Sequence, residues 1–492
     1  MISNETGIRL IFGLKVRELR SRKGLSFQEL SKKTGLSVSY LNEIEKGKKY
    51  PKGDKIMALS AALDVSYDNL VSLRVPKKIE PVVDLLQSEF LRELPLDLFG
   101  FDPQKVVELI SASPEKINAF VNTILQIARS YEMASRSFHQ AALRSYQEIH
   151  DNYFPDLEEA ARQFKHKFDF GLQGPYQKED LENVLRQVFG IRIEYDRLPG
   201  NEALRHLRSW YDPAQKVLSL NAGLNAAQEK FLILRELAFQ YLQISDRPLE
   251  TPARLEYNFA QLLDNFRASY FAGAFLMDRA AVFQDIRNFV ESSQWHDQDV
   301  YAVLKKYDAT PEMLMQRLTT ILPRYFGFNN LFFLKLGYLN ERRGYEMIKE
   351  LHLSRQHSPH GNQLHEHYCR RWISLKIIEE LLSSKSREII ARMQISSYVQ
   401  TRHEYLCLSV AFPNSSNSDQ GVSITIGFHL NKALRSRLAF LQDTKIVHRE
   451  VFTTCERCPW TDCPDRATPA WRLQETQRRQ NLSEALKALR ED

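Results

Sequence analysis

The chain has 492 residues, 43% hydrophobic and 26% charged, which is too long for one core and predicts three or four domains. Sixty-seven Lys and Arg oppose 61 Asp and Glu, a net charge of +6; the first 80 residues hold sixteen basic against nine acidic side chains, so a polyanion partner is expected there and nowhere else. No run approaches the ~18 apolar residues of a membrane span or the apolar stretch of a signal peptide, and an odd five cysteines, three of them clustered, point away from a secreted disulfide framework to a reducing cytoplasm with metal chemistry.

Three short helices open the chain. The first runs roughly from Ile8 to Arg22 and stops at Gly24. The second begins with the capping box Ser26-Phe-Gln-Glu29 and stops at Gly35. The third spans Ser37 to Gly47, with Ser37 as N-cap, an apolar stripe of Val38, Leu41 and Ile44, and Gly47 suited to the left-handed residue past the last turn. Its other face offers Ser39, Tyr40, Asn42, Glu43 and Lys46, hydrogen-bonding groups rather than a bland Lys/Glu surface. The tight Thr34-Gly35-Leu36 turn predicts a helix-turn-helix that lays its third helix in the major groove.

These residues resemble the Cro/cI-type (XRE) helix-turn-helix family, through Leu19-Arg20, Gly24-Leu25-Ser26, Glu29-Leu30, Thr34-Gly35-Leu36-Ser37, Tyr40-Leu41, Ile44-Glu45-Lys46-Gly47, Pro51 and Ala62-Leu63-Asp64-Val65. The resemblance implies a buried Arg20–Glu45 ion pair. It sets Ser37, Val38, Ser39, Asn42 and Glu43 against bases, and Tyr40, Lys46, Lys48 and Lys49 near phosphates of double-stranded DNA. Where the family often has a DNA-contacting Gln, this chain has Phe27, which Gln28 replaces only in part.

Residues 76–165 read as a helical connector. Its longest helix, Glu115 to about Ile149, would run about ten turns, with Phe120, Ile124, Ile127, Ala128 and Tyr131 at helical spacing. It is either a dimerisation helix or one buried against the next domain, and a homodimer is expected because such proteins commonly bind two half-sites.

From 166 to 345 the pattern is mixed α/β. Leu181 to Phe189 is helical, Ile191 to Tyr195 and Val217 to Leu220 are strands, and Gln228 to Gln243 and Arg254 to Met277 are helices. Val300 to Tyr307 and Pro311 to Leu322 follow as helices, and Leu331 to Leu336 as a strand. The order and phrases resemble the ImmA/IrrE metallopeptidase-like domain, whose zinc site needs two histidines one helical turn apart, an acidic third ligand and a glutamate base. Here the histidine positions hold Arg235 and Phe239 and the acidic position holds Arg267; only Glu236 remains. The resemblance therefore implies a degenerate zincin-like scaffold and no peptidase activity. Arg235, Glu236 and Arg267 are expected either to cluster as an anion site or to fill the old metal site as an Arg/Glu pair.

The last segment, 346–492, predicts strands at Ser396 to Val399, Tyr405 to Phe412 and Val422 to Phe428, in outline a GAF-like or PAS-like sensor. Then follows Cys455-x2-Cys458-x4-Cys463 in a Pro-rich, charged loop. The motif and the chain order resemble the short-chain fatty acyl transcriptional regulators, in which Cys369-Arg-Arg-Trp372 would have its counterpart and supply a fourth thiolate. Four cysteines suit tetrahedral zinc or a [4Fe–4S] cluster. The resemblance favours iron–sulfur, with short-chain acyl-coenzyme A as effector. Cys407, mid-strand among apolar residues, is expected in the core, and His448 is a reserve ligand. His357, His360, His365 and His367 read as solvated loop histidines.

The expected molecule is multidomain and mainly α with α+β parts: an all-α helix-turn-helix (8–75), a helical connector, a degenerate ImmA/IrrE-like domain and a sensor-like α+β domain with a Cys cluster. The expected function is a cytoplasmic DNA-binding regulator with no membrane contact. A phage-type or antitoxin-like repressor without effector, and a DNA-tethered metalloprotease, are the alternatives.

Overall fold

The computed structural model describes residues 4–72, 135–252, 257–340, 344–353, 366–384, 388–414 and 417–491. Most of the expected connector, including Phe120 to Tyr131, and His357, His360 and His365 lie outside these residues. The chain divides into two compact units, Met1–Tyr146 with Asn258–Ala260, and Gln147–Tyr257 with Gln261–Asp492.

In the first unit α1 (Asn4–Arg22), α2 (Phe27–Thr34), α3 (Val38–Glu45), α4 (Gly53–Leu63) and α5 (Tyr67–Val71) surround one core. Val16, Leu30, Leu41, Ile44, Leu59 and Leu63 are fully enclosed in it. The capping box forms as the sequence predicts: Ser26 Oγ accepts from the Glu29 N–H, and Glu29 accepts from the Ser26 N–H. α3 ends in a Schellman arrangement, with the Gly47 N–H on the Ile44 carbonyl and the Lys48 N–H on the Glu43 carbonyl. Gly47 sits at φ 69°, which a residue with a Cβ adopts at a cost. The stripe expected on α3 needs one correction: Leu41 and Ile44 are buried, but Val38 is 42% exposed. In the first turn of an eight-residue helix it stands beyond the edge of the core. A buried lysine, Lys15, ties α1 to α5 by donating to the Asn69 carbonyl at 2.8 Å and to Ser72.

α6 (Ser135–Ile149) lies within the stretch 115–149 where a long helix is expected, the rest of which is outside the described residues. The second unit continues with α7 (Pro155–Lys167) and α8 (Lys178–Phe189). A small sheet follows, of β1 (Arg192–Glu194), β2 (Ser209–Asp212), β3 (Val217–Leu220) and β4 (Glu250–Thr251), in the order β1-β3-β2-β4. Helices α9 (Ala226–Tyr241), α10 (Phe259–Leu276), α11 (Arg279–Glu291), α12 (Asp297–Tyr307) and α13 (Pro311–Ile321) complete this part. Its centre is a buried ion pair: Glu158 on α7 meets Arg317 on α13, and Tyr270 on α10 donates to the same carboxylate at 2.9 Å.

A larger sheet has the order β10-β7-β8-β9-β5-β6. Its strands are β5 (Leu331–Asn340), β6 (Gly344–His352), β7 (Ile390–Tyr398), β8 (Glu404–Asn414), β9 (Asn417–His429) and β10 (Val447–Val451). α14 (Ile373–Ser383) covers it with Leu375, Ile378 and Leu381. The sequence places Leu331 to Leu336 with the preceding domain, yet β5 pairs with β9 over seven residues. The sheet therefore runs across the expected boundary at 345. Hydrogen bonding between segments some 90 residues apart leaves no local mark in sequence. α15 (Lys432–Arg437) and α16 (Trp471–Glu491) close the chain.

Candidate functional sites

In the helix-turn-helix, Arg20 Nε and Nη2 donate to the two oxygens of Glu45 at 2.6 and 3.0 Å. The Glu45 hydrogen bond holds the Arg20 guanidinium even more firmly protonated than usual. Phe27, at the family's glutamine position, lies under that guanidinium, 4.1 Å from ring centroid to Cζ. It is half-buried against the core and buttresses the ion pair rather than facing a groove. Gln28 beside it is exposed. On α3, Ser37 caps the helix by accepting from the Tyr40 N–H at 3.2 Å. Ser37, Val38, Ser39, Lys48 and Lys49 are exposed, and Tyr40, Asn42, Glu43 and Lys46 half-buried. Lys55 Nζ stands 4.5 Å from the Tyr40 ring centroid, a basic neighbour that the helical pattern did not single out. The result is a short helix, rigidly held from behind, whose outer face combines small polar groups, an amide and several lysines. Such a face can hydrogen-bond base edges and neutralise phosphates.

In the middle domain Arg235, Glu236 and Arg267 do not converge, so the first of the two alternatives, an anion-binding cluster of these three, does not form. Glu236 is 3% exposed and pairs with Arg247, Nη1 to Oε2 at 2.8 Å and Nη2 to Oε1 at 2.5 Å. Arg247 lies between two rings, 4.1 Å from the Phe239 centroid and 4.5 Å from that of Tyr211. Arg235 instead reaches Thr251 Oγ1, Ser209 Oγ at 3.3 Å and Asn265 Oδ1 at 3.5 Å. Its Nε has no partner among the described residues, and burial pushes its pKa down to about 10. Arg267 points elsewhere, to Asp264 one turn back at 3.4 Å. Glu236 is thus paired, but with Arg247 rather than with Arg235 or Arg267. Arg247 lies in the loop after α9, so no helical spacing could reveal it.

At the C-terminal end, residues 367–369 and 453–455 run side by side in opposite directions. The Cys369 N–H donates to the Thr453 carbonyl, the Cys455 N–H donates to the His367 carbonyl, and Tyr368 bridges Thr454. This brings Cys369 to the loop of Cys455 and Cys458; all three are buried, and Cys463 is half-buried. The thiols are unbridged. Backbone N–H groups of Phe452 and Ala467 donate to the sulfurs of Cys369 and Cys455, each at 3.5 Å. Burial pushes the Cys369 thiol up to about 11 and raises that of Cys458. Arg466 knits the loop, donating to the carbonyls of Cys455 at 2.8 Å, Cys458 at 3.0 Å and Thr468 at 3.1 Å. Buried sulfurs facing N–H donors are the chemistry that thiolate-held zinc or iron–sulfur groups use. As placed, however, no three His, Cys, Asp or Glu side chains among the described residues converge as a metal cage. Cys407 is a core residue of β8, its thiol pushed up to about 12 by burial. His448 is exposed on β10, and His367 is held by Glu456 at 2.8 Å. The sequence missed the salt-bridge frame of this loop, in which Glu366 accepts from Arg457 and Thr454.

Residues 16–70 match the family described as Helix-turn-helix, and residues 186–319 the IrrE N-terminal-like domain. Over 330 residues the chain is 26% identical to the HTH-type transcriptional regulator RamB of Mycobacterium tuberculosis, covering 63% of this chain and 65% of that protein. It is 24% identical over 353 residues to the HTH-type transcriptional regulator PrpR of the same organism, covering 66% of each. It is 22% identical over 324 residues to the propionyl-CoA carboxylase regulator of Cereibacter sphaeroides, covering 64% of this chain and 65% of that one. The matches span just under two thirds of the length of these relatives. The chain thus joins an XRE-type helix-turn-helix to an IrrE-like domain and resembles the short-chain fatty acyl transcriptional regulators.

Proposed function

We propose that the protein is a sequence-specific, double-stranded-DNA-binding transcriptional regulator. The observation that carries this reading is the outer face of α3, polar and lysine-rimmed, fixed from behind by the Arg20–Glu45 pair. Arg235, Phe239 and Arg267 at the family's ligand positions, and the engagement of Glu236 by Arg247, support a second part: the IrrE-like domain is no peptidase. A glutamate already paired with an arginine, on a helix whose two histidine positions hold Arg235 and Phe239, lacks the imidazoles that would hold a zinc-bound water for it to deprotonate. The same reading has two copies of the chain bind two half-sites as a homodimer in the cytoplasm. No helix among the described residues is long and apolar enough to cross a membrane.

The effector part of the proposal is a short-chain acyl-coenzyme A, supported by the regulator relatives. Cys369, Cys455, Cys458 and Cys463 would hold a [4Fe–4S] cluster, or zinc, after local closure of the loop. The bound group would supply a cross-link among segments that Arg466 already holds together. Replacing Cys455 and Cys458 with Ser should abolish metal or iron stoichiometry in anaerobically purified protein; full retention removes the site.

The regulator reading is tested by titrating the protein against its own upstream DNA at fixed salt, with and without short acyl-coenzyme A thioesters. A thioester that shifts the affinity supports both parts. Tight binding unmoved by every thioester discards the effector and keeps the DNA reading. Absence of sequence-specific binding overturns the reading itself.

A further inference from the structure

Val38 is the one aliphatic side chain of α3 that the core leaves out: Leu41 and Ile44 are fully enclosed, whereas Val38 is 42% exposed. Neither packing nor helix formation asks for a valine there. A β-branched residue forms helix less readily than alanine or the straight-chain residues, and an exposed one adds little to a core. Its surroundings are polar. Ser37 and Ser39 on either side are exposed, and half-buried Asn42 lies one turn on, along the same side of the helix. Val38 thus stands inside the face on which the DNA reading rests. It is also held still: Ser37 Oγ accepts from the Tyr40 N–H at 3.2 Å, closing the first turn around it, and a valine in a helix keeps largely to one χ1 rotamer.

The chemistry of the side chain limits what it can read. A valine has no donor and no acceptor. In the major groove guanine, adenine and cytosine show hydrogen-bonding edges, and of the four unmodified bases only thymine adds an apolar group, its C5 methyl. A valine pressed against one of the other three strips water from polar groups and returns no hydrogen bond, which costs affinity. Against the methyl it buries apolar surface on both sides and leaves nothing unmatched. Gain and penalty favour the same base.

We propose that Val38 is a thymine-reading residue, which packs its methyl groups on the C5 methyl of one thymine in each half-site. One helical turn rises about 5.4 Å and one base-pair step about 3.4 Å, so this thymine lies one or two steps from the base pair that Asn42 faces. The proposal deepens the DNA reading and rests on it. The contact needs the register that Ser39 and Asn42 set, and it adds to their readout rather than replacing it.

The test starts from duplexes that the full chain selects out of a random-sequence pool. Each thymine of the selected site is then replaced in turn by deoxyuridine, which removes only the methyl. At one thymine per half-site the replacement is expected to weaken binding roughly threefold to tenfold, with the salt slope unchanged. Val38→Ala should lose a similar factor on the thymine duplex and bind the thymine and uracil duplexes equally. Its weak binding to scrambled DNA should match that of the wild type, which verifies the fold. A second variant, Val38→Thr, keeps the shape and one methyl and should fall between the two. The proposal is overturned by wild-type sites indifferent to every uracil, or by variants that keep the full wild-type preference for the methyl. Either of these results, with a sequence selected, leaves the DNA reading standing; selection of no sequence at all overturns that reading and this proposal with it.

Discussion

Arg20 and Glu45 are joined by two hydrogen bonds, 2.6 and 3.0 Å long, that lock the last turn of α1 to the last turn of α3. Glu45 is 4% exposed, so removing it leaves a guanidinium that, among the described residues, keeps the Leu25 carbonyl and the Phe27 ring. Glu45→Ala should cost the first unit about 2–4 kcal/mol. Arg20→Lys should cost less but still be destabilising, since an ammonium cannot reproduce the two-point geometry. Hydrogen exchange of the backbone amides in 4–72 reads this directly. Unchanged protection in Glu45→Ala would show that α3 is held by its apolar contacts alone.

Glu236 and Arg247 offer a second test of the same physics in the other unit. Arg247→Met leaves a carboxylate buried without its partner and should destabilise by about 3–5 kcal/mol. Adding Glu236→Gln to that variant should recover much of the loss, because the remaining amide is neutral. A denaturant double-mutant cycle measures the coupling. Additive losses would mean that the two side chains are not energetically coupled.

How far these features are legible in sequence depends on how local their causes are. The capping box of Ser26 and Glu29, the stop at Gly35 and the Schellman end at Gly47 are written within a few residues, and all were readable. Gly13 was not: a Cβ there would collide with the Ile44 carbonyl oxygen, a close approach of α1 to α3 that no spacing announces. Arg235, Phe239 and Arg267 were legible as departures from a zinc pattern. Asp264 sits three residues before Arg267 on the same helix, a spacing that sequence does carry, whereas Thr251, the partner of Arg235, was not legible, because a strand brings it in. The same holds for the β5–β9 pairing across the expected domain boundary. Proximity of Cys369 to Cys455 was available only through the family resemblance, since it depends on a two-segment backbone pairing.

Lys165 gives the second unit a distinct pH response. It is 2% exposed, donates to the Leu172 carbonyl at 2.9 Å and lies near the Tyr176 and Phe275 rings. Burial pushes its pKa down to about 8, against roughly 10.4 in an unfolded chain. Between these values the unfolded state binds more protons, so stability from this group rises with pH across about 8 to 10.4. Below pH 8 the full penalty is present, of order 3 kcal/mol for such a shift. Lys165→Met should therefore gain most over the wild type below pH 8, and the difference should shrink as pH approaches about 10.5. A difference independent of pH from 7 to 10.5 would contradict the buried-lysine account.

The central claim is that the outer face of α3 reads DNA sequence. The direct measurement is fluorescence anisotropy of the wild type and of a Ser39→Ala/Asn42→Ala variant against the upstream DNA and a scrambled duplex, across a salt series. The account predicts that the variant loses the preference for the upstream sequence. It should keep the weak, salt-dependent binding of its lysines, with a slope little changed from that of wild type on scrambled DNA. A variant that still distinguishes the two duplexes as the wild type does would contradict the account and move recognition off this helix face.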